Sequence, residues 1–157
     1  MTSTLLDLIQ RLGATSILCV CDDRVPAIEE FRAANPDANV IIIGHATPPT
    51  RELGRFDLSV VAFAPGRLSK SDGTRLLASL RNFHSNVVPV TFPDDDEGAK
   101  TPWSDLELLA LGLEPARTVP GDTARLYVYD ITAYNRQRDW NNPRHWANPE
   151  NFRKYRW

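Results

Sequence analysis

Short apolar runs alternate with segments of helical spacing along most of this chain, and that alternation is what limits the fold. Ser16-Ile17-Leu18-Cys19-Val20 reads as a buried first strand. Val40-Ile41-Ile42-Ile43 is β-branched throughout and reads as a central strand covered on both faces. Leu58-Ser59-Val60-Val61-Ala62-Phe63 is a third strand and Val87 to Phe92 a fourth, in which Pro89 demands a bulge or an unpaired position.

The segments between these runs carry helical patterns. Thr4 is placed to cap a helix with Leu5, Leu8, Ile9 and Leu12 on one face, closed by Gly13. A second helix takes Pro26 in its first turn, turns Ile28 and Phe31 inward and stops at Asn35-Pro36. Leu76, Leu77, Leu80 and Phe83 give the inner face of a third. Ser104-x-x-Glu107 is a capping box opening a fourth, with Leu106, Leu109 and Leu113 at helical spacing. Leu113 to Val119, Pro120-Gly121-Asp122 and Arg125 to Ile131 then form a closing hairpin. Strands alternating with helices give an α/β domain with a mostly parallel sheet and helices on both faces.

These residues resemble the class I S-adenosylmethionine-dependent methyltransferase fold. The match runs through Phe56-Asp57-Leu58-Ser59-Val60-Val61, Leu68-Ser69-Lys70, the Leu76-Leu77 helix and Val87 to Phe92, then Leu108 to Glu114 and Leu126-Tyr127-Val128-Tyr129. It implies a Rossmann-like, doubly wound sheet over residues 1–135, with an antiparallel hairpin at its end. An irregular Trp/Arg-rich tail, residues 136–157, follows. S-adenosylmethionine is the one cofactor the resemblance brings with it.

The positions that would hold that cofactor are altered. The turn after the first strand, Cys21-Asp22-Asp23-Arg24, has no glycine to let the backbone approach an adenosyl group, and its two carboxylates repel phosphate. The acid that the resemblance places at the end of strand two, on the ribose hydroxyls, is replaced by Gly44-His45. About a dozen residues separate strand two from Phe56, too few for the family's third strand and helix. Ala64-Pro65-Gly66 stands where amino-methylating relatives carry Asn/Asp-Pro-Pro-aromatic. The resemblance implies a shrunken, degenerate relative from an uncharacterised bacterial family: a non-catalytic scaffold or binding module. The alternative is a small S-adenosylmethionine- or nucleotide-binding enzyme with an atypical loop.

No catalytic residue can be assigned. Cys21, Asp22, Asp23, His45, Pro65 and Gly66 are the candidate ligand crevice, because they end strands at the edge where open α/β sheets bind ligands. A thiolate, an imidazole and carboxylates could build a metal site or a Cys–His pair. The plainer reading makes the cysteines core residues, Asp23 a helix cap and His45 a loop residue, and no metal is expected. Asp94 to Glu97 reads as a solvated acidic loop, and His84 as a cation at a helix end.

Charge is unevenly spread. The net charge is −2, but residues 136–157 hold six Arg/Lys against two acids, so the remainder carries about −6. In the same tail Tyr134, Trp140, Trp146 and Phe152 recur every six residues, two of them opening Trp-x-Asn-Pro units that should form turns. Trp140, Trp146, Phe152, Trp157, Arg144 and Arg153 are its contact candidates. Packing on the acidic body or on a second subunit ranks first, a distinct protein partner second and nucleic acid third. With two closely spaced cysteines, no apolar leader and no membrane-length apolar run, a cytoplasmic location is expected.

Overall fold

The computed structural model describes residues 3–64, 67–93, 103–116, 124–134 and 148–151. A six-stranded sheet runs through the centre in the order β2-β1-β3-β4-β6-β5. Its strands are β1 (Ser16–Val20), β2 (Asn39–Ile43), β3 (Leu58–Ala62), β4 (Val87–Pro93), β5 (Glu114–Pro115) and β6 (Ala124–Asp130). The first four are parallel, and β6 runs antiparallel to both β4 and β5. The expected mixed sheet with a closing hairpin is therefore present; the hairpin's turn lies outside the described residues.

Strand alternation sends neighbouring side chains into two cores. Ile17, Cys19 and Val60 pack with Leu6, Ile9, Ile28 and Phe31 of α1 (Thr4–Arg11) and α2 (Pro26–Ala34). Leu18, Val20 and Val61 pack on the other face with Leu76 and Leu77 of α3 (Lys70–Ser79) and Leu108 of α4 (Asp105–Ala110). A short α5 (Ile131–Tyr134) follows β6, and a 3-10 turn spans Pro149–Asn151. Among the described residues no helix is long and apolar enough to cross a membrane.

Several local expectations are corrected. β2 is an edge strand, not a central one, and Ile42 is 45% exposed. Between β2 and β3 there is only a 3-10 turn (Arg51–Leu53), and among the described residues no strand pairs with the outer edge of β2. α3 passes into a π-helical turn (Leu80–His84) that closes with Ser85 N–H donating to Leu80 C=O. The extra residue per turn shifts the phase, leaving Phe83 40% exposed and burying His84. His84 is therefore buried at the helix end rather than solvated, and its Nδ1 lies 2.8 Å from the Gly54 carbonyl oxygen.

In α4 the buried leucine is Leu108, whereas Leu106 is 78% exposed and Leu109 is also exposed. The capping box is formed as expected, Ser104 and Glu107 each satisfying the other's backbone N–H. Ser3, not Thr4, caps α1, accepting from Leu6 N–H at 3.2 Å. Val25, not Asp23, is the N-cap of α2, and no side chain caps it.

Pro89 introduces no bulge, since β4 pairs residue for residue with β6 from Val87 to Pro93. The Thr91 carbonyl accepts from Phe63 N–H, so Pro89, two residues back, also turns its ring nitrogen toward β3. The β3–β4 register pairs Leu58 with Val87 and Val61 with Val90 and omits the two positions between, so Pro89 takes the unpaired position, the other of the two expectations.

Candidate functional site

The carboxyl ends of β1 and β2 are joined by one side chain. Asp22 leaves β1 and crosses to the loop after β2, where its Oδ1 accepts the His45 backbone N–H at 3.0 Å. Its Oδ2 stands 2.9 Å from His45 Nδ1, an ion-pair separation that lacks the alignment of a hydrogen bond. The hydrogen bond from the His45 backbone, then the His45 ring, hold the Asp22 carboxyl below the ordinary carboxylate range. Arg67 adds a smaller push in the same direction.

Gly44 makes this crossing fit. A Cβ there would stand 3.1 Å from Asp22 Oδ1, tighter than an ordinary contact. The His45 side chain is 2% exposed and stacks on Phe63, with centroids 5.8 Å apart and planes 22° apart. Its Nε2 is buried without a hydrogen-bond partner. Phe63 continues into an aromatic cluster with Phe92 at 5.3 Å and Trp103 at 4.8 Å.

Cys21 does not join this pair. Its thiol belongs to the core under α1 and α2, whereas His45 lies with Phe63 and the opposite core, so the sheet separates thiol from imidazole. The sulfur of Cys19 lies 3.6 Å from that of Cys21, and both thiols are free. The Cys19 thiol donates to Cys21; this bond, with burial, pushes Cys19 up, and the same bond lowers Cys21 against the opposing push of burial. Asp23 is exposed and lines a different crevice. Among the described residues no group of three or more His, Cys, Asp or Glu is placed to hold a metal ion. Pro65, Gly66, Trp140, Arg144, Trp146, Phe152, Arg153 and Trp157 lie outside the described residues, as does the Asp94 to Glu97 run.

One crevice has no local signal in the sequence. A crevice of about 510 Å³ opens at the carboxyl ends of β3 and β4, walled by the first turns of α1 and α2 and by β6. Leu5, Val25, Ala27, Phe63 and Leu126 make it largely apolar, with Asp23 and Arg24 also contributing. With Thr91 and Pro93 of β4, these residues come from five separate segments, and only the folded topology brings them together. Arg24 is not free to meet a ligand charge, because its guanidinium pairs with Glu29 at 2.7 and 2.9 Å.

S-adenosylmethionine, implied by the fold, needs backbone approach after β1 and a ribose acceptor after β2. Here the Asp22 carboxylate and the His45 backbone take up the space between those two ends. The residues present do not fit the cofactor held in that manner.

Among solved structures, the methyltransferase domain of bacterial CtHen1 matches with a TM-score of 0.50 at 10% identity, over 81% of this chain and 95% of that one. Mitomycin 7-O-methyltransferase MmcR matches at 0.53 and 15% identity, over 75% of this chain and 49% of its own. Human N-acetylserotonin methyltransferase, solved in complex with SAM, matches at 0.51 and 10% identity, over 80% and 50%. The chain spans about half the length of the latter two. No curated protein matches the sequence significantly. At these identities the likeness is one of fold, and the fold is methyltransferase-like. Over residues 1–157 the chain belongs to a family of unknown function, DUF6231.

Proposed function

We propose that this protein is a non-catalytic, methyltransferase-like module, a pseudoenzyme whose sheet serves as a scaffold and whose residues 136–157 supply a contact element. The observation that carries this reading is the Asp22 bridge, which ties the end of β1 to His45 between the two strand ends where a cofactor would be held. A bacterial, cytoplasmic setting goes with the reading, and the two free cysteines support a reducing compartment. Calorimetric titration with S-adenosylmethionine and S-adenosylhomocysteine tests it. No saturable heat is expected; saturable binding near or below about 1 mM would sink the scaffold reading, since a retained cofactor site binds at least that tightly.

One observation favours a second reading, a small-molecule enzyme. The crevice beside Phe63 is about 510 Å³, within the size range of ligand pockets, and mostly apolar. The same titration with nucleotides tests that pocket. Saturable binding abolished by Leu126→Trp, which fills the cavity, would assign a ligand to it.

A further inference from the structure

We propose, on the reading of the crevice beside Phe63 as a small-molecule pocket, that its ligand is an apolar molecule bearing one protonated amine, with the ammonium set against Asp23. The floor of the crevice follows from strand register. Ala62 pairs with Thr91, and Thr91 with Leu126, so one row of residues crosses β3, β4 and β6. Pro93 and Ala124 make the next pair along the same face. Ala62 and Leu126 pack with the core under α1 and α2, which puts the row on that side of the sheet. Ala27, Ala62, Ala64 and Ala124 have short side chains, and about 510 Å³ stays open between the sheet and the first turns of the two helices.

Charge selects a cation over an anion. Among the described residues, the ionisable side chains lining the crevice are Asp23 and Arg24. The Arg24 guanidinium is held by both oxygens of Glu29, at 2.7 and 2.9 Å, so its charge is met within the chain. None of the ion pairs among the described residues uses Asp23. Its neighbour Asp22 is engaged by His45. The unmatched charge at the crevice is therefore negative.

An anion would need donors from the start of α2, where sheets of this kind hold phosphate. Pro26, at the head of that helix, has no N–H, and the amides of Ile28 and Glu29 both donate to the Val25 carbonyl, at 3.0 and 3.2 Å. Glu29 puts a further carboxylate in the same turn. The charge of about −6 on residues 1–135 also draws cations toward the body. Because Asp23 is exposed, its charge contributes selectivity more than affinity, and burial of the apolar part supplies most of the binding.

Three probes that share one apolar body test this: phenylbutylamine, phenylbutanol and phenylbutanoate, each titrated into the full chain at low ionic strength and followed by NMR chemical shifts. Fragments of this size bind at about 1–10 mM. The amine should bind about threefold tighter than the alcohol and about tenfold tighter than the carboxylate. Its shifts should centre on Ala62, Thr91 and Leu126. Asp23→Asn should keep the circular dichroism spectrum, since Val25 and not Asp23 is the N-cap of α2, and should bring amine and alcohol to equal affinity. Asp23→Lys should make the carboxylate the best of the three. If no probe shifts these residues by about 10 mM, the pocket reading and the proposal are both overturned. If all three bind there but the amine is not preferred, or stays preferred in Asp23→Asn, the proposal alone is overturned and the pocket stands.

Discussion

Asp22 Oδ1 accepts the backbone N–H of His45 at 3.0 Å while its Oδ2 lies 2.9 Å from His45 Nδ1, so one carboxylate holds both the loop and the ring. Asp22→Ala should free the loop after β2 and lower the melting temperature by a few degrees. It should also increase exposure of His45, read as faster hydrogen exchange at the His45 amide. An unchanged exchange rate would show that the bridge does not hold the loop in solution.

The same carboxylate gives the stability a pH dependence of defined sign. Asp22 is held low first by the His45 backbone hydrogen bond, and Asp57 first by the hydrogen bond from Thr15 N–H, with Ser16 N–H adding to it. A group whose folded pKa lies below its unfolded value binds fewer protons when folded. Its contribution is present above the unfolded carboxylate value near about 4 and is lost as the pH falls through the lower folded value. Melting temperature should therefore drop on acidification below about pH 4, and less steeply in Asp22→Ala and Asp57→Ala. Equal acid slopes in all three proteins would refute the assignment.

Asp57 also fixes where β1 and β3 begin. Its Oδ2 accepts from Thr15 N–H at 2.8 Å, Thr15 Oγ1 at 3.0 Å and Ser16 N–H at 3.0 Å, and its own N–H donates to Ser16 Oγ at 2.9 Å. Asp57→Ala should cost about 1–2 kcal/mol in urea unfolding, the loss of a charged acceptor shared by several partly solvated donors. A change under about 0.5 kcal/mol would mean that water replaces the carboxylate at no loss.

Much of this fold was legible because local patterns agreed with the global one. β1 and β3 are apolar on both faces and became inner strands, and the Ser104/Glu107 box opened its helix where the spacing placed it. The errors arose where tertiary context decides. Val40 to Ile43 has the composition of a central strand, but among the described residues no strand pairs with its outer edge. The π-helical turn exchanged Phe83 for His84 on the buried side, which helical periodicity cannot foresee. At the candidate site, Asp22 and His45 were both named, but their pairing needed the β1–β2 register, whereas the crevice beside Phe63 left no local trace.

Gly73 in α3 reports on the aromatic cluster. A Cβ at this position would come within 2.6 Å of Trp103 Cζ2, and Trp103 is itself packed against Phe63 and Phe92. Alanine in place of a helical glycine gains about 1 kcal/mol of propensity. Overpacking a filled core costs about 1–3 kcal/mol, so Gly73→Ala should be net destabilising. Adding Trp103→Leu, which opens room, should make the pair of substitutions less than additive. A stabilised Gly73→Ala protein would show that the indole can move away freely.

Deletion of residues 136–157 addresses the contact element. That segment carries the aromatic series Trp140, Trp146 and Phe152, with Tyr155 and Trp157 beyond, and an excess of cations against an acidic body. Burial of each ring contributes on the order of 2–3 kcal/mol, enough in series to offset the ordering entropy of a turn-rich segment. Left in water, the same rings would form an apolar patch that invites association. The truncated protein should therefore melt several degrees lower than the full chain in a thermal scan. An unchanged melting temperature and unchanged mass would make the tail a free arm, and a separate protein partner would then replace packing as the reading.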